Sequence, residues 1–171
     1  MTLMTPINAT QSMATQPISV RRARWGDKDA LLEMIHALAH HNGDTPELDL
    51  PGLIDLMRAD LPWLRLLVAE RAGALIGYAG LVGGLRLQHG QKTLDLHHLF
   101  IAKEARGQGV GRALITEARA TAIALGCHSL TVGTQDHNMA AQATYRACGF
   151  EPQTLTGKRF EMVLKEGEIA L

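Results

Sequence analysis

The pattern of apolar residues in this sequence predicts one α/β domain, in which about four helices flank a mixed sheet of about six to seven strands. Short stretches with two-residue alternation recur through the chain, which is typical of strands. Between them lie segments with apolar residues at three- and four-residue spacing, which is typical of amphipathic helices. The length of 171 residues suits a single domain.

The predicted elements follow one another in the order β-α-α-β-β-β-α-β-α-β-β. Asp27 is a suitable N-cap for the first helix, and Gly126 is well placed just beyond the long helix of the second half. A short turn at 71–73 joins two strands as a hairpin. The predicted bounds are 18–20 for the first strand, 29–39 and 50–61 for the first two helices, 64–70, 74–85 and 93–101 for the middle strands, 111–125 for the long helix, 129–134 for the fifth strand, 138–147 for the last helix, and closing strands from 150 onward and over 159–164.

Composition and charge narrow the class of protein. The 17 basic residues balance the 17 acidic ones. The sequence therefore lacks the basic excess that would indicate a nucleic-acid or membrane-surface partner. Cys127 and Cys148 are too few for a disulfide framework and are expected to pack as small apolar residues. Residues 1–17 are interpreted as a flexible leader without signal-peptide character, and residues 18–171 as the domain. Together these observations predict a cytoplasmic protein.

The stretch between the fourth predicted strand and the long helix carries the most informative pattern. Glycines let the backbone approach a phosphate without a Cβ, and the free N–H groups of a helix N-terminus bind anions. The stretch lacks the Gly-Lys-Ser/Thr ending of a P-loop and the spacing of a dinucleotide fingerprint. A pyrophosphate-binding loop is therefore predicted, and a simple tight turn is the alternative. The residues concerned are Arg106, Gly107, Gln108, Gly109, Val110, Gly111 and Arg112.

The context of this loop resembles the acetyl-CoA motif of the GNAT superfamily of N-acetyltransferases. A strand, Arg106-x-x-Gly109-x-Gly111 and a helix match its first half. A later signature begins 27 residues after Gly111 and resembles the family's Asn-x-x-Ala-x-x-x-Tyr-x-x-x-Gly-Phe, here Asn138, Ala141, Tyr145 and Gly149-Phe150. Residues 94–101 and the helix end at 39–41 resemble the diamine acetyltransferase branch, which also includes enzymes that acetylate lysine-like amino acids.

The resemblance implies a GNAT-type fold, acetyl-CoA as co-substrate, a homodimer and no metal. It implies that the pantetheine arm lies along the backbone of Leu99, Phe100 and Ile101, with an N–H near Leu99 facing the thioester oxygen. Asn138 would cap its helix and contact the cofactor. Tyr145 matches the family's general acid, and a phenol with a pKa of about 10 keeps its proton at neutral pH.

The general base stays open between His98, His97 and a chain of waters, with Asp95 and His137 as further candidates. A histidine titrates near neutrality and suits proton removal. Consecutive strand residues face opposite ways, so His97 and His98 both reach a substrate only where the strand bulges. His36 and His40 are interpreted as a solvated helix face rather than a metal pair, because no third ligand is evident.

The predicted function is transfer of an acetyl group from acetyl-CoA to a primary amine of a small molecule, by direct attack in a ternary complex. The acceptor would be a lysine-like amino acid or a polyamine. The diamine branch carries an acidic pair where this chain has His97-His98, and that replacement disfavours a polyamine. Two alternatives remain, a protein acetyltransferase acting on an N-terminus or a lysine, and a non-catalytic acyl-CoA-binding module.

Overall fold

The computed structural model describes residues 16–58, 64–153, 160 and 162, and in them four helices and five strands form one α/β domain. The predicted class is therefore confirmed, with fewer strands than expected. The predicted closing strands are absent at 150–153, and most of their remaining residues, like 1–15 of the predicted leader, lie outside the described parts. The elements are β1 Ser19–Arg22, α1 Lys28–His41, α2 Leu50–Arg58, β2 Leu64–Arg71, β3 Ala74–Arg86, β4 Gln91–Ile101, α3 Val110–Ala124, β5 Ser129–Val132 and α4 Met139–Ala147.

The strands lie in one sheet in the order of the chain, with β1 to β4 antiparallel and β5 parallel to β4. Each face of the sheet carries its own core. The α3 face packs Leu114 and Ala118 of α3 against β4, and the α1 face packs Leu31 of α1 and Leu53 of α2 against Tyr78 of β3. Burying one large apolar side chain of this kind contributes about 1.5–3 kcal/mol.

Strand β4 departs from regular pairing in two ways. On the side of β3, the pair Gly80–His98 is followed by Leu81–Leu96, so His97 is an extra residue in a β-bulge. On the side of β5, the last pair joins Leu96 to Val132, although β4 continues to Ile101. Among the described residues, no strand pairs with this edge of 97–101.

Asp27 is the N-cap residue of α1 by position, as predicted, but its side chain is bonded elsewhere. The Asp27 carboxylate accepts the backbone N–H of Arg24 at 2.6 Å and two hydrogen bonds from the Arg21 guanidinium at 2.7 and 2.9 Å. It therefore caps a short 3-10 turn ahead of α1 and makes no side-chain bond to α1 itself. These bonds to Arg21 hold the pKa of Asp27 below its ordinary value. The prediction for Gly126 is confirmed, since it follows α3 with a φ of +67°.

Three further side chains, one histidine and two cysteines, bear on the sequence predictions. His36 is not on a solvated face, because its Nε2–H donates to the carbonyl of Leu48 at 2.6 Å and ties α1 to the segment before α2. Cys127 and Cys148 are free, half-buried thiols that pack against the core on the α3 face, as predicted. None of the helices in the described part of the chain has the length and apolar character that a bilayer-spanning segment needs.

Candidate active site

A cleft of about 770 Å³ opens where β4 and β5 separate. Its walls come from the unpaired part of β4, the glycine-rich loop, the start of α3, the inner side of α4 and the end of α1. The structure brings all but one of the sequence-predicted site residues to this cleft. They are His97, His98, Leu99, Phe100, Ile101, Arg106, Gly107, Gly109, Val110, Gly111, Arg112, Asn138 and Tyr145.

The exception is Gln108, whose side chain turns to the other side of the loop. Its amide nitrogen donates to the carbonyl of Glu104 at 2.6 Å, and its amide oxygen accepts from the guanidinium of Arg71. Arg71 is buried at the end of β2. The Gln108 side chain thus bridges the loop to the sheet instead of lining the cleft. The predicted contact of Gln108 with the cofactor could therefore be made only by its backbone.

The backbone of the glycine-rich loop is shaped for an anion. Gly107 and Gly109 have φ angles of +70° and +83°, a left-handed conformation that costs other residues about 1–2 kcal/mol. Gly109 directly precedes α3, and Val110, Gly111 and Arg112 of the first turn line the cleft. The N–H groups of a first helical turn have no acceptor within their helix and carry the positive end of its dipole. This end of the cleft can therefore bind a phosphate or pyrophosphate.

Arginine side chains add positive charge beside this backbone. Arg106 is exposed and donates from Nε to the carbonyl of Ile101 at 3.2 Å. Arg112 is exposed on the first turn of α3. Neither forms an ion pair with a carboxylate in the described ranges, so both charges remain available to an anionic ligand.

Helix α4 contributes a hydrogen-bond donor and a capped N-terminus to the opposite wall. Tyr145 is half-buried, with its ring in edge contact with Phe150 at 5.9 Å between centroids. Burial raises the pKa of Tyr145, so its hydroxyl keeps its proton at neutral pH. Asn138 caps α4 by accepting the N–H of Ala141 at 3.1 Å. Tyr145 is therefore a cleft residue that keeps its proton at neutral pH.

The bulge turns two histidine rings toward the same side of β4. The rings of His97 and His98 stack with 4.7 Å between centroids and 14° between planes. His98 is half-buried, and its Nδ1 lies 3.0 Å from the hydroxyl of Tyr78. Burial, and then the neighbouring His97, lower the pKa of His98, so its ring is neutral at pH 7. The bulge that both histidines need in order to reach one substrate is therefore present.

The remaining base candidates lie outside the cleft lining. Asp95 holds a hydrogen bond from the Thr131 hydroxyl at 2.7 Å, and its other oxygen lies 3.8 Å from Nδ1 of His97. Asp95 therefore lies beside His97 and not in the cleft lining. His137 is exposed in the turn before α4. Within the described ranges, no group of three or more His, Cys, Asp or Glu side chains could hold a metal ion.

Several lining residues were missed by sequence reasoning, and they lie at two element ends. At the end of α1 they are Leu38, His41 and Asn42, and after β5 they are Gly133, Thr134 and Gln135. The second set had a usable signal, because residues that follow the carboxyl end of a parallel strand commonly form ligand sites. The lining described here includes no Asp or Glu.

The sequence profile of the Acetyltransferase (GNAT) family matches residues 31–150, which spans the core elements and the whole cleft. The chain belongs to the GNAT acetyltransferase family. The family uses acetyl-CoA as co-substrate, and the protein is an acetyl-CoA-dependent N-acetyltransferase. The cleft agrees with this assignment, since it combines a phosphate-binding backbone with a strand edge that an extended pantetheine arm can follow.

Named relatives of this acetyltransferase differ in substrate. It is similar to the IAA acetyltransferase of Azospirillum brasilense, with 28% identity over 72% of this chain and 78% of that protein. It is also similar to the thialysine N-epsilon-acetyltransferase of Bos taurus, with 26% identity over 80% of this chain and 86% of that protein. Its fold matches an aminoglycoside acetyltransferase from an uncultured soil metagenomic sample, solved with sisomicin, at a TM-score of 0.71 and 16% identity over 86% and 97% of the two chains.

Proposed function

We propose that this enzyme acetylates the primary amine of a small molecule that also carries a carboxylate, and that a lysine-like amino acid suits the cleft better than a polyamine. The observation that carries the proposal is the charge of the cleft lining. It holds three histidines, His41, His97 and His98, and its described residues include no Asp or Glu. A polyamine carries several positive charges and needs carboxylates close by, because Coulomb attraction falls with distance and with screening.

The two ends of the cleft suit the two reactants. The arginines and free N–H groups at the start of α3 suit the phosphates of acetyl-CoA, and the unpaired backbone of 99–101 suits its pantetheine arm. His97 and His98 belong to the same strand β4, and their rings lie on the α1 face, where we expect the amine to approach the thioester. Tyr145 also lines the cleft, and we expect it to protonate the leaving thiolate. Holding both reactants in line supplies much of the acceleration.

Release of CoA thiol over a panel of amines tests this proposal. We expect lysine and thialysine to be turned over at least tenfold more efficiently than spermidine, with rates that rise as a histidine loses its proton. The matched variant replaces both histidines with glutamate, His97→Glu with His98→Glu. Because it restores an acidic pair, it should shift the preference toward spermidine. Wild-type preference for spermidine by tenfold or more would overturn the proposal.

The same panel separates the alternatives. A lysine-containing peptide or a free peptide N-terminus as the best acceptor would favour a protein acetyltransferase. Acetyl-CoA binding without thiol release to any amine or peptide would favour a non-catalytic binding module. The homodimer and the cytoplasmic location remain predictions, and light scattering of the purified protein measures the first of them.

A further inference from the structure

The two stacked histidines differ in what their Nδ1 atoms face. Nδ1 of His98 lies 3.0 Å from the hydroxyl of Tyr78, whereas Nδ1 of His97 lies 3.8 Å from a carboxylate oxygen of Asp95. A hydroxyl can donate or accept, but a carboxylate only accepts. Which nitrogen of each neutral ring carries the proton is set by these partners.

The hydroxyl of Tyr78 fixes the proton of His98 on the opposite nitrogen. Tyr78 is fully buried on β3, and burial raises its pKa, so the hydroxyl stays protonated. In the described part of the chain its partner is Nδ1 of His98. If Nδ1 carried a proton, the Tyr78 O–H would lose its acceptor in the buried core, which is unfavourable. The hydroxyl therefore donates to Nδ1, and Nε2 of His98 carries the proton.

The carboxylate of Asp95 favours the opposite arrangement in His97. One Asp95 oxygen is held by the Thr131 hydroxyl, which keeps the carboxylate in place beside the bulge. A proton on Nδ1 of His97 faces the second oxygen and is attracted to it. His97 is also the more exposed of the two rings, with 63% of its side chain accessible. Its Nε2 then presents a lone pair.

We propose that the two rings hold complementary tautomers, so that His97 is the general base and His98 is a hydrogen-bond donor that recognises the carboxylate of the amine substrate. Tyr78 is the positioning residue that fixes the donor. The identity of the acceptor rests on the proposed function, whereas the tautomers do not. The proposal also explains why a stacked pair is present at all, since two rings can supply one acceptor and one donor to the same small molecule.

The proton transfers balance around this assignment. Nε2 of His97 removes one proton from the substrate ammonium and exposes the nitrogen lone pair. The C–N bond then forms at the thioester carbonyl, and the C–S bond breaks when the tetrahedral adduct collapses. The thiolate takes a proton from Tyr145, and the second proton of the amine nitrogen restores the phenol. One amide, one thiol and one proton, released later from His97, are the products.

The titratable and charged groups around the pair come from three elements. Tyr78 belongs to β3, Asp95 belongs to β4 itself, and His41 lies at the end of α1 and lines the same cleft. Burial disfavours a charge on His98, and so does the neighbouring ring of His97, because two adjacent cations repel each other.

The tautomers can be read directly from long-range ¹H–¹⁵N correlation spectra of the ¹⁵N-labelled enzyme at a pH where both rings are neutral. We expect a bare Nδ1 in His98 and a bare Nε2 in His97, each assigned from the matching His→Gln variant. Tyr78→Phe should release His98 into a mixture of tautomers while leaving His97 unchanged. A proton on Nδ1 of His98, or on Nε2 of His97, would overturn the proposal whatever the substrate is.

Kinetics separate the two roles. With any amine that the enzyme accepts, His97→Gln should remove the acidic limb of the pH–rate profile and lower turnover about 10²-fold. His98→Leu should keep that limb and raise the KM for lysine about tenfold, with little effect on cadaverine, its decarboxylated analogue. His98→Gln should restore the KM because its amide is also a donor.

An exposed histidine in the turn before β4 provides the matched control, and His89→Gln should match wild type. Loss of the acidic limb in His98→Gln, with its retention in His97→Gln, would refute the assignment of roles. Failure of lysine as a substrate, with the predicted tautomers and pH limb intact, would instead count against the proposed substrate class alone.

Discussion

Deleting His97 tests whether the bulge in β4 serves the site rather than the fold. Ten residue pairs join β3 and β4 on the two sides of the bulge, and none of them includes His97. After the deletion, Leu94, Leu96, Leu99 and Ile101 would follow one another in unbroken alternation on the α3 face. The strand can therefore close with the same partners and bury the same side chains.

The expected change in stability is small because little is lost with the residue. His97 is largely exposed, and its contact with Asp95 at 3.8 Å is a surface ion pair of the kind that contributes about 0–1 kcal/mol. We expect the free energy of unfolding in urea to change by less than about 1 kcal/mol. Turnover should fall about 10²-fold or more, because the proposed base is gone while His98 keeps its pair with Gly80.

Deleting Leu99 provides the control for an ordinary one-residue deletion in the same strand. In the wild-type structure, Ile101 packs against the core on the α3 face. Deletion of Leu99 leaves the bulge in place and turns Ile101 to the other face of the sheet. The loss of one buried aliphatic side chain costs about 2–5 kcal/mol. If deletion of His97 destabilised the protein as much as deletion of Leu99, the bulge would be part of the fold and our reasoning about β4 would be wrong.

Four further variants test the rest of the molecule. Gly109→Ala and Gly126→Ala place Cβ atoms at positive φ at opposite ends of α3, so each should lose about 1–2 kcal/mol of stability, but only Gly109→Ala should weaken acetyl-CoA binding at least tenfold by calorimetry. Equal affinities would remove the loop from the cofactor site. Tyr145→Phe should lower turnover about 10²-fold with acetyl-CoA affinity unchanged, and wild-type turnover would make it a packing residue. Asp27→Asn should cost about 1–3 kcal/mol at pH 7. Because folding lowers the pKa of Asp27, its carboxylate stabilises the folded state at pH values above the unfolded pKa of 3.8, and this stabilisation is lost as the pH falls through the folded pKa. A difference in unfolding free energy between wild type and Asp27→Asn that persisted well below pH 3.8 would contradict this.

Helices and middle strands could be predicted because their signals are local. The apolar stripe that places Leu31 and Met34 on one side of α1 is a property of spacing alone, and Gly126 marks the end of α3 through its own backbone preference. Asp27 precedes α1 as predicted, but the destination of its carboxylate could not be predicted, because Arg21 from a different element binds it. His36 was misplaced for the same reason, since its partner Leu48 lies across a loop.

The position of the bulge has a signal in the sequence. The apolar residues of β4 run Leu94-x-Leu96-x-x-Leu99-x-Ile101, so the alternation skips one position at His97-His98. In a strand with one face on the α3 core, that skip indicates an inserted residue. The contact between Tyr78 and His98 had no such signal, because the register of β3 on β4 brings them together and register is a tertiary property.

The bulge and the opening of the sheet occur at the same point of β4. From this point on, different residues of the strand face the cleft and the α3 core. Pairing with β5 ends at Leu96, one residue before the bulge. Beyond it, Leu99 and Ile101 still pack on the α3 face, while the edge that β5 has left faces the cleft. His97 is therefore held by a strand whose core contacts do not depend on it, whereas His98 is tied to the buried hydroxyl of Tyr78. Because position 97 can change without changing the core, its charge can be altered on an unchanged scaffold, and under our proposed function that charge helps to select the substrate class.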